Sequence, residues 1–149
     1  MPERQAFVDQ VKGAERSCYV VAAAVKHYGA DVLGGKAELP AETSPRDLVA
    51  AADQVESTHL IRMWAAFEMA LRSYHEQKTG NDEIRAVNLV DWTTGIKQGR
   101  AISKDVRDGV HQVREYRNYL VHGNSAPAVS IKEARRHLNK LLHCLPIQW

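Results

Sequence analysis

Residues 44–80 read SPRDLVAAADQVESTHLIRMWAAFEMALRSYHEQKTG, and they decide the fold class. Ser44 suits a helix N-cap, Pro45 suits the first helical position, and Asp47 is favourable in the first turn. Apolar residues then recur at steps of three, four and five: Leu48, Ala52, Val55, Leu60, Trp64, Phe67, Leu71 and Tyr74. That is the period of one helix face rather than of a strand. Gly80 supplies the stop, so the spacing predicts one helix from Pro45 to Lys78, about 50 Å long at 1.5 Å per residue.

Working outward, the same signals recur. A first helix is expected from about Glu3 to Tyr28, with Phe7, Val11, Ala14, Cys18, Val21 and Val25 on its inner face and Gly29 ending it. Residues 29–44, with three glycines and a proline, read as a connection. A short helix is expected over Asp82–Trp92, capped by Asn81, with a loop over 93–100. A fourth runs from near Ser103 to Gly123. A fifth begins at Ser130, where Glu133 completes a capping box, and ends before Pro146. No segment alternates apolar and polar residues between turn signals, as a half-buried strand would. The expectation is an all-α, up-down helical bundle of four to five helices, in one domain over 1–149, whose core lies in 45–145.

Composition narrows the function classes. A length of 149 residues fits one core, and 44% apolar residues can fill it. No apolar run approaches the roughly 20 residues that span a bilayer, and the N-terminus has no signal-peptide core, so a cytoplasmic protein with no membrane partner is expected. Cys18 and Cys144 are too few for a disulfide framework or a four-cysteine zinc site. The net charge is +2, yet residues 97–149 hold 10 basic and 4 acidic side chains, a net of +6. Such segregation suits a polyanion partner, and it also suits an ordinary solvated face.

The chemistry concentrates in Arg114-Glu115-Tyr116-Arg117-Asn118-Tyr119-Leu120-Val121-His122-Gly123. Arg117 interrupts the apolar row Val106, Val110, Val113 and Leu120. A guanidinium taken out of water needs a counter-charge or an anionic ligand. Glu68 makes a matching exception beside Trp64, Phe67 and Leu71, so a Glu68–Arg117 pair across the bundle is expected. Asn118 and His122 share a helical face, with Arg114 one turn back. An Arg, an amide and a His at one helix end suit an RNA phosphodiester: His can take the 2′-hydroxyl proton while Arg holds the phosphate. A capping His beside a structural Arg is the plain alternative.

The string from Arg117 to Gly123 resembles the signature of the HEPN superfamily: Arg, a polar residue, then His after four to six residues at a helix end. The segment from Trp64 to Leu71, with its acid, is similar to the long second helix of such domains. The resemblance covers about residues 45–145. It implies a metal-independent, cofactor-free endoribonuclease acting as a homodimer, with RNA as partner, in a toxin–antitoxin or phage-defence setting. By that resemblance His122 is the general base, Arg117 stabilises the transition state and Asn118 orients the phosphate or the Arg. Products carrying a 2′,3′-cyclic phosphate and a 5′-hydroxyl follow. Lys97, Arg100, Lys104, Arg107 and Arg114, with Arg135, Arg136 and Lys140, are candidates for tracking the RNA backbone. HEPN toxins with nucleotidyltransferase antitoxins carry a Tyr soon after the His. Here Gly123-Asn124-Ser125-Ala126 follows, which puts that antitoxin partner in doubt.

Some HEPN domains lack catalysis and only bind or dimerise, a second reading. A third is a metal-binding bundle, from Glu56-x-x-His59 and Asp108-x-x-His111, although the further glutamates of a di-iron set are missing.

Overall fold

The computed structural model describes residues 2–95 and 102–149. It has five helices and, among those residues, no strand beyond one isolated bridge between Glu3 and Gln148. The helices are α1 (Arg4–Leu33), α2 (Pro45–Thr79), α3 (Ala86–Thr94), α4 (Lys104–His122) and α5 (Ile131–Cys144). The all-α bundle is therefore as the periodicity predicts. No helix of the described residues is long and apolar enough to cross a membrane.

α2 is unbroken, and the Asp47 carboxylate accepts from the Ser44 backbone N–H at 2.7 Å and its hydroxyl at 3.0 Å. Gly80 closes it in the left-handed conformation at φ 71°. Its inner face carries Leu60, Met63, Trp64, Phe67 and Leu71, all essentially inaccessible to water. Burying side chains of this size contributes about 1.5–3 kcal/mol each.

Two boundaries differ from the sequence expectation. Gly29 does not end α1, which continues to Leu33. It lies within the helix and faces α2, where a Cβ would rest in ordinary contact 3.5 Å from a Leu48 methyl. The turn comes at Gly34 and Gly35, where the Asp31 carbonyl accepts from Lys36 and Ala37. Nor does Asn81 cap a helix from Asp82. Its Oδ1 accepts from the Glu83 N–H at 2.8 Å, an Asx-turn that holds the chain non-helical until Ala86.

α5 packs on α1, α2 and α4. Arg135 pairs with Glu15 at 2.9 Å and Arg4 reaches the His143 and Leu145 carbonyls, so α5 runs antiparallel to α1. Ile131 sits beside Glu56 and Trp149 beside Ser73, so α5 runs parallel to α2. The inner face of α1 is Val8, Val11, Glu15 and Cys18, while the expected Val21 is exposed. Phe7 stacks on Trp149 at 5.8 Å, and Tyr74 meets the same indole edge-on at 5.6 Å.

Candidate functional site at the end of α4

Ser103 precedes α4 in extended conformation, and Gly123 ends it at φ 78°, donating to the Tyr119 carbonyl at 2.8 Å. Only glycine takes that conformation without a Cβ clash, which is why the helix stops one residue after His122. The Gly109 backbone faces the His137 ring of α5. From that level α4 climbs 13 residues to His122, whereas α5 reaches back only six to its start at Ile131. At 1.5 Å per residue the motif end of α4 therefore projects about 10 Å past α5. Pro127, Ala128 and Val129 return alongside Gln112 and Glu115 to make the connection.

On this projection Arg117 and Asn118 are half-buried and His122 is exposed. Arg117 Nη1 donates to Asn118 Oδ1 at 3.2 Å. Its Nε is buried without a partner, and among the described residues no carboxylate lies within ion-pair distance of the guanidinium. A cation so placed retains a strong demand for an anion. Tyr116 and Tyr119 flank it with rings stacked at 5.9 Å, and Tyr119 is 41% exposed. Burial, then the nearby Glu56 charge, pushes the Tyr116 hydroxyl above its ordinary pKa.

The expected Glu68–Arg117 pair does not form. Glu68 Oε2 accepts from Trp64 Nε1 at 2.8 Å, and Oε1 accepts from Arg72 Nε at 3.0 Å and Nη2 at 2.6 Å. Arg72 in turn donates to the Ile84 carbonyl at 2.8 Å, so Glu68 secures the segment before α3. The level of the motif along α2 is that of Glu56, about 18 Å from Glu68 by helical rise. Glu56 is itself committed, accepting from the Ile131 N–H at 2.7 Å at the start of α5. Its role across the bundle had no signal in the sequence, because a free N–H on a distant helix end leaves no local pattern.

The expected basic track is only partly assembled. Lys97 and Arg100 lie outside the described residues. Lys104 is exposed at the opposite end of α4 from His122. Arg107 Nε lies 3.9 Å from Asp108, and Arg114 Nη2 lies 3.6 Å from Glu115. Arg114 also donates from Nε to His111 Nδ1 at 3.2 Å, while His111 Nε2 meets Asp91 of α3 at 2.7 Å. Arg135 is held by Glu15. These arginines have acidic neighbours, and among the described residues Arg117 has none within ion-pair distance.

The residues of the metal reading separate. Glu56 turns to α5, His59 Nδ1 faces the Val55 carbonyl at 2.7 Å, and His111 belongs to Asp91. Among the described residues no three His, Cys, Asp or Glu side chains gather as ligands. In comparisons with known proteins, the chain matches no family model, no curated protein and no solved structure.

Proposed function

We infer that this protein is a metal-independent endoribonuclease of the HEPN kind, its site built on Arg117, Asn118 and His122. The observation that carries the reading is Arg117: a half-buried guanidinium with an unpaired Nε, held by Asn118 and opposed by no described carboxylate. A phosphodiester supplies the missing anion. The exposed His122 stands four residues along the same face from Asn118, the spacing at which helical side chains meet.

In the reaction, neutral His122 accepts the proton of the ribose 2′-hydroxyl. The 2′-oxygen attacks phosphorus and the bond to the 5′-oxygen breaks, leaving a 2′,3′-cyclic phosphate. The departing 5′-oxygen takes up a proton from solvent or from the imidazolium. Arg117 bears the charge that grows on the non-bridging oxygens, which is where preorganised cations contribute most. Tyr119, exposed one turn from His122, offers a ring face to a neighbouring base. DNA lacks the nucleophile and is spared. A toxin–antitoxin or defence setting goes with this reading through the HEPN resemblance.

The test is cleavage of labelled single-stranded RNA by the purified chain in excess chelator. His122→Ala is expected to slow cleavage about 10²–10⁴-fold, with cyclic-phosphate ends on the wild-type products and no action on DNA of the same sequence. Equal cleavage by His122→Ala, or none by the wild type, sinks the nuclease reading. Chelator-resistant RNA binding that needs Arg117 but yields no products establishes the non-catalytic binding module instead.

A further inference from the structure

Where the chain returns from Gly123 toward α5, it leaves a recess against α4. Pro127, Ala128 and Val129 form one wall, Gln112 and Glu115 face it from α4, and the space between is about 250 Å³. Gln112, Glu115, Tyr119 and His122 follow one another at steps of three, four and three, so the recess shares a helical face with the candidate general base. His122 stands seven residues beyond Glu115, about 10 Å by helical rise. One nucleotide bridges that separation between its phosphate and the far edge of its base.

We propose that this recess holds guanine, as the base of the nucleotide next to the scissile phosphate. Its place in the reaction rests on the nuclease reading, and its selectivity rests on the recess alone. The apolar wall of Pro127, Ala128 and Val129 suits the flat face of a base, which leaves the edge to Glu115 and Gln112. These two are three residues apart and meet on one side of the helix. A carboxylate only accepts hydrogen bonds, through two oxygens side by side, whereas an amide also donates. Guanine alone among the four RNA bases presents two neighbouring donors on its Watson–Crick edge, N1–H and the N2 amino group, with the O6 acceptor beside them. The Glu115 carboxylate takes the two donors, and Gln112 Nε2 donates to O6. Adenine and cytosine turn a ring-nitrogen acceptor toward the carboxylate, and uracil offers it one N–H between two carbonyls. Each of the three therefore sets acceptor against acceptor.

Both side chains are free for this work. Among the described residues Gln112 has no hydrogen-bond partner, and Glu115 meets only Arg114 Nη2, at 3.6 Å. Arg114 offsets the acid's charge beside an RNA backbone. It is itself fixed from below, Nε donating to His111 Nδ1 at 3.2 Å and His111 Nε2 meeting Asp91 at 2.7 Å.

Calorimetric titration of the full chain with the four ribonucleoside 3′-monophosphates tests the recess apart from cleavage. Guanosine 3′-monophosphate is expected to bind at least about 10-fold tighter than the other three, the worth of one good bidentate base contact. Inosine 3′-monophosphate, which lacks the N2 amino group, is expected to fall between guanosine and the rest. Glu115→Gln, whose amide offers one donor and one acceptor, is expected to erase the guanosine advantage. Glu115 is exposed, so helical circular dichroism should be retained in that variant. Arg117→Gln removes a phosphate contact and is expected to weaken all four nucleotides alike, keeping their ratio. In random-sequence single-stranded RNA, the cuts made by the wild type are expected to show guanosine at one fixed position beside the break. No binding, equal affinity for the four nucleotides, or a guanosine advantage that survives Glu115→Gln overturns the proposal. RNA cut without base preference also overturns it and leaves the nuclease reading standing. Guanosine-selective binding without cleavage keeps the guanine subsite and removes the nuclease reading.

Discussion

The two halves of the α1–α2 pair carry the same apolar period but end in opposite environments. In the lower half, where α5 packs on both helices and α4 on α2, Val8, Val11, Met63 and Phe67 are fully buried. In the upper half, Ala22, Val49 and Leu33 continue the pattern into open solvent. Periodicity therefore reports which face of a helix seeks cover, and only the lengths of the covering helices determine how much of that face obtains it from the same chain.

The sharpest way to break the comparison is truncation in each half. Phe67→Ala is expected to cost about 3–5 kcal/mol in urea unfolding, since a fully buried ring leaves a cavity. Val49→Ala in dilute protein is expected within about 0.5 kcal/mol. Equal losses at the two positions would show that the upper half is as enclosed as the lower.

Glycines give a second contrast, of intermediate size. A Cβ at Gly109 would run into the His137 ring where α4 meets α5, whereas one at Gly13 meets nothing within 4 Å. Gly109→Ala is expected to destabilise by about 1–3 kcal/mol despite alanine's better helix propensity. Gly13→Ala is expected to stabilise by about 0.5–1 kcal/mol. Paired thermal melts check both, and a stabilising Gly109→Ala would mean that α4 and α5 are not in close contact there.

The smallest expected effect is a slope with pH in that same contact. Burial, then the Arg136 and Lys140 charges, lowers the His137 pKa below its ordinary 6.5, against a weaker opposing pull from Glu133. Above that value the ring is neutral in both folded and unfolded chains, so it contributes no pH dependence. As pH falls through it, the unfolded chain gains a proton that the folded one resists, and stability declines until the folded pKa is passed. His137→Gln should therefore lose less stability than the wild type between pH 8 and pH 5. An identical decline in both would remove His137 from the account.

Much of the fold was legible because its signals are local. Ser44 with Asp47, Ser130 with Glu133, and the left-handed Gly80 and Gly123 each act within one turn of the residues they control. Gly29 misled because a glycine inside a helix looks the same in sequence as one that ends it. Asn81 misled because its side chain serves an Asx-turn and an N-cap by similar hydrogen bonds to residues ahead. At the candidate site, the common helix of Arg117, Asn118 and His122 was legible from the sequence, while the partner of Glu68 was not. Arg72, four residues on, captured that carboxylate within its own helix. A partner on a distant helix competes poorly with one a single turn away.

By itself the sequence determined what one helix can enforce: a bundle of four to five helices, the caps at Ser44, Gly80, Gly123 and Ser130, most of each apolar face, and the placing of Arg117, Asn118 and His122 on the last turns of α4. The tertiary structure decided what depends on the relative lengths and levels of several helices. It set the roughly 10 Å by which α4 outruns α5 and the level that places Glu56, not Glu68, beside the motif. It also left Arg117 without a described acid and half of α1 without cover. The physical reason is one of range. Hydrogen bonds and side-chain spacing within a helix act over one or two turns, whereas the pairing of charges and the covering of apolar surface are settled between segments far apart in the chain, as with Glu56 and Ile131 at 75 residues and Glu15 and Arg135 at 120.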